Sequence, residues 1–228
     1  MARKRNVGSA IGNPEPTLPI EELVRLASVD LEQDGALSGV LLEDAQLAGI
    51  EASALRLAEV GLRRVDLSST RLRGVHMLEV SASAVNGANA VWPYAQMSRV
   101  TFTSSTLVGL DLSNGQLART TFSECKLDLA NLRMSSIRDV VFVGCSLRSV
   151  DFYAATLSSV RFESCDLHEA DFSQATLETV DLRTSTITDV RGVGSLKGAT
   201  VDSAQLLDLA PSLASELGIH VEDRGEQA

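Results

Sequence analysis

Every fifth residue from Leu37 to Ile187 is apolar, and the phase never breaks across this span. Of the 31 positions, 27 are Leu, Phe, Ile or Met, and the exceptions are Ala52, Ala82, Gly87 and Trp92. A second series lies two residues earlier in each unit (Val100, Ser105, Leu110, Gly115, Thr120, Cys125) and is mostly small or β-branched. A period of five is neither that of a helix nor that of a strand: a helix would smear it around its circumference and a strand would alternate it between faces. It fits one short side of a squared coil that turns a large and a small residue inward on each side. Four sides make a coil of twenty residues, so residues twenty apart stack. Cys125, Cys145 and Cys165, the only cysteines, keep this step, as do Phe102, Phe122, Phe142 and Phe162. Aromatic residues make up only 4% of the chain, so small and branched side chains must fill most of the interior.

The units Leu110-Asp111-Leu112, Ala130-Asn131-Leu132, Val150-Asp151-Phe152, Ala170-Asp171-Phe172 and Val180-Asp181-Leu182 follow the pattern A(D/N)LXX. This resembles the pentapeptide-repeat family, over residues 37–187. The resemblance implies an all-β solenoid, a right-handed quadrilateral β-helix; the period alone does not give the hand. The span corresponds to about 7.5 coils and, at about 4.8 Å per coil, a rod roughly 36 Å long. Both ends of such a rod expose unpaired backbone and need caps, expected here as short helices.

At the N-terminus, Glu21 and Glu22 followed by Leu23, Leu26 and Ala27 on one face predict a helix over 20–28 within a cap spanning 20–36. Residues 1–19 hold three of the five prolines and are expected to be mobile. The repeats are expected to run over 37–201, although Ile187 to Leu196 is nine residues and not ten, a slip of one. Residues 202–220 read as a helical element, with Ser203 or Ser212 as N-cap and Pro211 bending or splitting it. Its Leu206, Leu207, Leu209, Leu213 and Leu217 exceed one face, which predicts a homodimer interface as well as a cap. In the quinolone-resistance members of the family, the Qnr and MfpA proteins, C-terminal elements form the dimer, and the resemblance implies the same here. Residues 221–228 are expected to be disordered.

The formal net charge is −10, which argues against direct nucleic-acid binding through phosphate neutralisation. No apolar run is long enough to span a bilayer, and no apolar stretch follows the basic start, so a cytoplasmic protein with reduced thiols is expected. His76, His168 and His220 are scattered. No catalytic triad, metal-ligand cluster or phosphate-cradling glycine loop is visible, so neither an enzyme nor a cofactor is expected. The cysteine column reads as ladder filling, because three parallel ligands do not make a tetrahedral site.

Asp111, Asn131, Asp151 and Asp171 share a column, and the Asp/Asn preference there has a structural reading, local side-chain bonds to backbone. The wider charge is polarised. Between 149 and 182, Asp151, Glu163, Asp166, Glu169, Asp171, Glu178 and Asp181 face only Arg161, whereas Arg56, Arg63, Arg64, Arg71 and Arg73 cluster near the start. A dimer joined at its C-termini would have an acidic centre. In Qnr and MfpA proteins such a rod occupies the DNA-binding saddle of gyrase, so the resemblance implies DNA mimicry toward gyrase or topoisomerase IV, with Asp111 and the seven later acids as the contact surface. The loops by which Qnr proteins contact gyrase are not evident, since no insertion breaks the period. The alternative is a general interaction scaffold with another partner. The unit around Trp92, with Gly87 before it and Pro93 after it, predicts a packing plug in a kinked or bulging coil.

Overall fold

The computed structural model describes residues 18–26 and 35–221. Parallel strands pair at a constant offset of twenty: Ala36 with Arg56, Arg56 with His76, His76 with Gln96, and onward through Ser136, Thr156 and Thr176. Isolated bridges keep the same offset on the other sides, from Gln46 through Asp66, Asn86 and Thr106 to Thr186. The chain is therefore a solenoid of about eight four-sided coils, with backbone hydrogen bonds running from coil to coil. The four faces are named here by their central inward residues: face I through Leu42, Phe142 and Leu182; face II through Leu47, Leu127 and Ile187; face III through Ala52, Trp92 and Phe172; face IV through Leu57, Met97 and Leu177. Both inward series are buried along the rod, the central residues from Leu42 to Ile187 and the smaller residues two before them, except Val40 and Ile50 near the first coil, which are partly buried.

The core is built of ladders. Phe102, Phe122, Phe142 and Phe162 stack with centroids 5.3, 5.0 and 4.9 Å apart and planes within 6° of parallel. Phe152 and Phe172 make a second stack at 5.1 Å, and Phe152 meets Phe162 edge to face. Each rung sits at the coil spacing, so a flat ring fills one storey without leaving a void. Trp92 is fully buried, as a plug should be, and its indole Nε1–H donates to Thr70 Oγ1 (2.9 Å), which donates in turn to the Leu67 carbonyl (2.7 Å). Its coil neither kinks nor bulges, because the offset of twenty holds from His76 to Gln96 and from Val91 to Asp111. The coil that carries the large indole carries glycine, Gly87, at the neighbouring central position, where a Cβ would approach Leu107 to 2.9 Å.

The two ends differ. The helix expected over 20–28 is replaced by one 3-10 turn, Ile20–Glu22, and a strand, Val24–Leu26, which pairs in parallel with Val40–Leu42. The open edge of the first coil offers a row of backbone partners, and strand pairing there overrides a weak helical propensity. Ile20 and Leu23 sit over Gly61 and Leu41 on face I, where Leu41 is an apolar outward residue that they cover. Residues 1–17, 27–34 and 222–228, which include most of the mobile segment, part of the N-terminal cap and nearly all of the disordered tail expected from the sequence, lie outside the described residues.

At the other end the slip of one is real: Val180 pairs with Ala199, an offset of nineteen. Gly198 makes it possible, since its φ is 96° and a Cβ would stand 2.2 Å from the Leu177 carbonyl oxygen. Helix α1 follows, Ser203–Glu216. Its N-cap is Asp202, not Ser203 or Ser212: the Asp202 carboxylate accepts from the Gln205 backbone N–H while Gln205 Oε1 accepts from the Asp202 N–H, a capping box. Pro211 lies inside the helix without splitting it. Gln205 also turns its Nε2 to the carbonyls of Leu182 and Ser185 (2.6 Å each), so one buried amide satisfies two acceptors at the last coil edge.

Candidate interaction surfaces

The acidic residues do not form one face. Asp111, Asp151 and Asp171 share the face III column with Asn131, Glu163 and Asp181 lie on face I, Asp166 and Glu169 on face II, and Glu178 on face IV. Together they ring the C-terminal coils. In the column each side chain accepts the backbone N–H two residues on: Ser113, Arg133, Tyr153 and Ser173 donate at 2.8 to 3.1 Å. Asp66, Asp166 and Asp181 make the same turn with Ser68, His168 and Arg183. The local hydrogen bond explains why the repeat wants Asp or Asn there.

Arginines then partner many of these carboxylates. Arg133 bonds Asp151 (2.8 Å) and lies over the Tyr153 ring, Arg148 bonds Asp166 (2.8 Å), Arg183 bonds Asp181 (2.6 Å), Arg191 lies 3.6 Å from Asp171, and Arg161 pairs with Glu163. Glu169 bonds Ser149 and Glu178 bonds Ser158, both across one coil. Asp111 has no ion pair among the described residues. Four of the five arginines of the first cluster are also satisfied: Arg63 and Arg64 hold Glu43 and Asp44, Arg71 holds Glu51, and Arg73 lies over Tyr94. The Arg133–Asp151 and Arg148–Asp166 pairs share a spacing of eighteen, a coil less two, which is visible in the sequence once the coil length is known.

At Asp181 and Asp66 such contacts shift the carboxyl group. The Arg183 guanidinium beside Asp181 holds its carboxyl below the usual range, and the Ser68 backbone N–H does the same for Asp66. A carboxyl whose folded pKa lies below its unfolded value adds stability above that unfolded value and loses it as pH falls through the folded one. The unfolded value is near 3.8. The melting temperature is therefore expected to be flat between about pH 7 and 5 and to drop below about pH 4; circular-dichroism melts that stay level to pH 2.5 would contradict this. The three thiols differ in their acidity. Cys125, Cys145 and Cys165 are buried, each donating to the carbonyl two residues earlier and to one in the coil below. Hydrogen bonding between neighbouring free thiols, with burial, pushes Cys145 up to about 12 and raises Cys165 too, while the hydrogen bond with Cys145 lowers Cys125. No His/Cys/Asp/Glu cluster among the described residues could hold a metal, and no described helix is long and apolar enough to cross a membrane.

The leucines of α1 divide into two groups. Leu209 is buried on the last coil and Leu213 packs partly against it, so these two act as the cap. Leu206, Leu207 and Leu217 are 51, 75 and 72% exposed. Beyond the helix, Ile219 and Val221 are exposed as well.

A pentapeptide repeat region profile matches residues 95–172 and 115–191, the stretch in which the column of Asp and Asn turns is complete. Residues 95–191 are a pentapeptide-repeat region. Among solved structures, the pentapeptide-repeat protein HetL of the cyanobacterium Nostoc sp. strain PCC 7120, involved in heterocyst differentiation regulation, is 22% identical, with 75% of this chain and 91% of HetL covered and a TM-score of 0.43. Full-length QnrB1, a plasmid-mediated fluoroquinolone resistance protein, is 19% identical, with 81% and 100% covered and a TM-score of 0.35. The pentapeptide-repeat protein Rfr23 of the cyanobacterium Cyanothece 51142 is 17% identical, with 58% and 88% covered and a TM-score of 0.21. No curated protein sequence matches the chain.

Proposed function

We propose that this protein is a non-catalytic DNA mimic that binds the basic DNA-binding groove of a type II topoisomerase, DNA gyrase or topoisomerase IV, and modulates it or shields it from inhibitors. The observation that carries this reading is the position of the acidic ring beside the exposed leucines. Residues 149–189 hold eight acids and two arginines, and α1 contains no Lys or Arg. Pairing of two copies through Leu206, Leu207 and Leu217 would place both acidic ends at the centre of a rod about twice the length of one protomer, offering negative charge on every side to a basic groove. Leu206→Asp with Leu207→Asp should give a monomer by light scattering with an unchanged circular-dichroism spectrum, since neither side chain is needed to cap the coil; a persistent dimer would remove the central acidic belt. The functional test is displacement: the protein should compete labelled duplex DNA off purified gyrase, with competition weakening as salt rises. Failure to displace DNA at high excess would overturn the reading. The pairing of Arg133, Arg148 and Arg191 with the acidic ring favours a second reading, a scaffold for another protein, in which the charge serves solubility.

A further inference from the structure

Of fourteen arginines in the described residues, ten pair with a carboxylate and Arg73 lies over Tyr94. The three that remain, Arg56, Arg119 and Arg138, have no acidic partner among the described residues, and all three belong to face IV. Asp139, on the same corner column as Arg119, makes no ion pair with it. Face IV also carries an open groove of about 450 Å³. Its floor is the column Ala58, Leu78, Ser98 and Ala118, stacked in register and continued by Arg138. Its wall is the column Arg56, His76, Gln96 and Gln116. Leu78 is 43% exposed on that floor, the one large apolar side chain in a column otherwise of Ala and Ser.

We infer that this groove binds a short acidic–apolar segment of a partner protein. The floor rewards an apolar side chain laid beside Leu78. Gln96 and Gln116 offer amide donors and acceptors to an extended peptide backbone. Arg56 at one end, with Arg119 and Arg138 at the other, offers guanidinium groups suited to carboxylates and not already committed to them. From the Arg56 coil to the Arg138 coil is four steps, roughly 19 Å at the strand spacing, which is the reach of about six extended residues. The fitting ligand has one or two apolar residues at its middle and Asp or Glu at both ends. Nucleic acid fits less well, because His76 is the one aromatic ring in the groove and Phe, Tyr and Trp, on which successive bases stack, are missing from its lining. The groove lies N-terminal to the acidic ring, whose Glu178 stands two coils beyond Arg138 in the same column, and its unpaired charges are of opposite sign, so it stands whether or not that ring binds a topoisomerase.

The test is selection of a phage-displayed random dodecapeptide library on the purified full chain, followed by fluorescence anisotropy with the enriched peptides. The expected enrichment is Leu, Ile, Val or Phe flanked by Asp or Glu. Leu78→Ser, and separately Arg119→Glu with Arg138→Glu, should each weaken binding at least tenfold. Lys126→Glu, which changes a cation on face II, should leave it unchanged. All these positions are on the surface, and a circular-dichroism melt confirms that each variant is folded. The inference is overturned if no peptide is enriched, if the enriched peptides are basic, if the groove variants bind as well as the native protein, or if a labelled 20-nucleotide single strand binds and the acidic peptides do not.

Discussion

Phe142→Ala is expected to cost about 3–5 kcal/mol of stability. Phe142 is fully buried and stands between Phe122 and Phe162 at 5.0 and 4.9 Å. Ladder rungs are spaced by the backbone, so the rings above and below cannot close the gap: the coils are pinned by strand pairing from Ser136–Val143 to Thr156–Glu163 on one side and to Thr121–Ser123 on the other. The cavity therefore stays, and the cost sits at the upper part of the large-to-small range. A solenoid is held by nearest-neighbour interfaces. Weakening one storey in the middle is thus expected to uncouple the two halves and broaden the urea transition as well as shift it. A shift below about 1 kcal/mol with an unchanged slope would mean that neighbouring coils slide together, and that register is softer than the pairing implies.

Glu163→Lys, Glu169→Lys and Glu178→Lys together are expected to weaken topoisomerase binding by about two orders of magnitude, at roughly 1 kcal/mol for each reversed charge near a basic groove. These positions suit the purpose because they bond only side chains, Arg161, Ser149 and Ser158. The aspartates need gentler treatment. Asp151 and Asp171 accept backbone N–H groups, so lysine there would damage the turn; asparagine, which already occupies the column at Asn131, keeps the acceptor and removes the charge. Asp111→Asn, Asp151→Asn and Asp171→Asn are expected to melt close to the native protein and to displace DNA less well. If both sets leave DNA displacement unchanged while the fold is intact, charge is not what the partner reads.

The coil and its contents were legible because one inward side chain every five residues is a constraint imposed by the backbone on every side of the square, and Gly87 and Trp92 could depart from it in size without shifting it. What was not legible lay at the ends and on the surface. The stretch around Ile20–Leu26 has a helical pattern, but the decision belonged to the unpaired edge of the first coil and to the notch at Gly61, neither of which is local. Asp202 and Gln205 spell a capping box three residues apart, a readable signal passed over in favour of serines. The aspartate column was given its structural meaning correctly by the Asp/Asn preference. The acids of the later coils looked more concentrated than they are, because a linear count misses the arginines that the coil brings from eighteen or twenty residues away, such as Arg133 to Asp151 and Arg191 to Asp171. The groove on face IV has no sequence signature of its own: it arises where Ala58, Leu78, Ser98 and Ala118 line up, and alignment across coils is visible only in register.

The measurement that tests the account most directly is DNA supercoiling by purified gyrase with increasing amounts of this protein, with and without a fluoroquinolone. The account predicts inhibition of supercoiling, or relief of drug-induced cleavage, at micromolar protein or below, lost in the Glu163, Glu169 and Glu178 lysine variant. Unaltered supercoiling and unaltered cleavage at high excess of a folded, dimeric protein would contradict it.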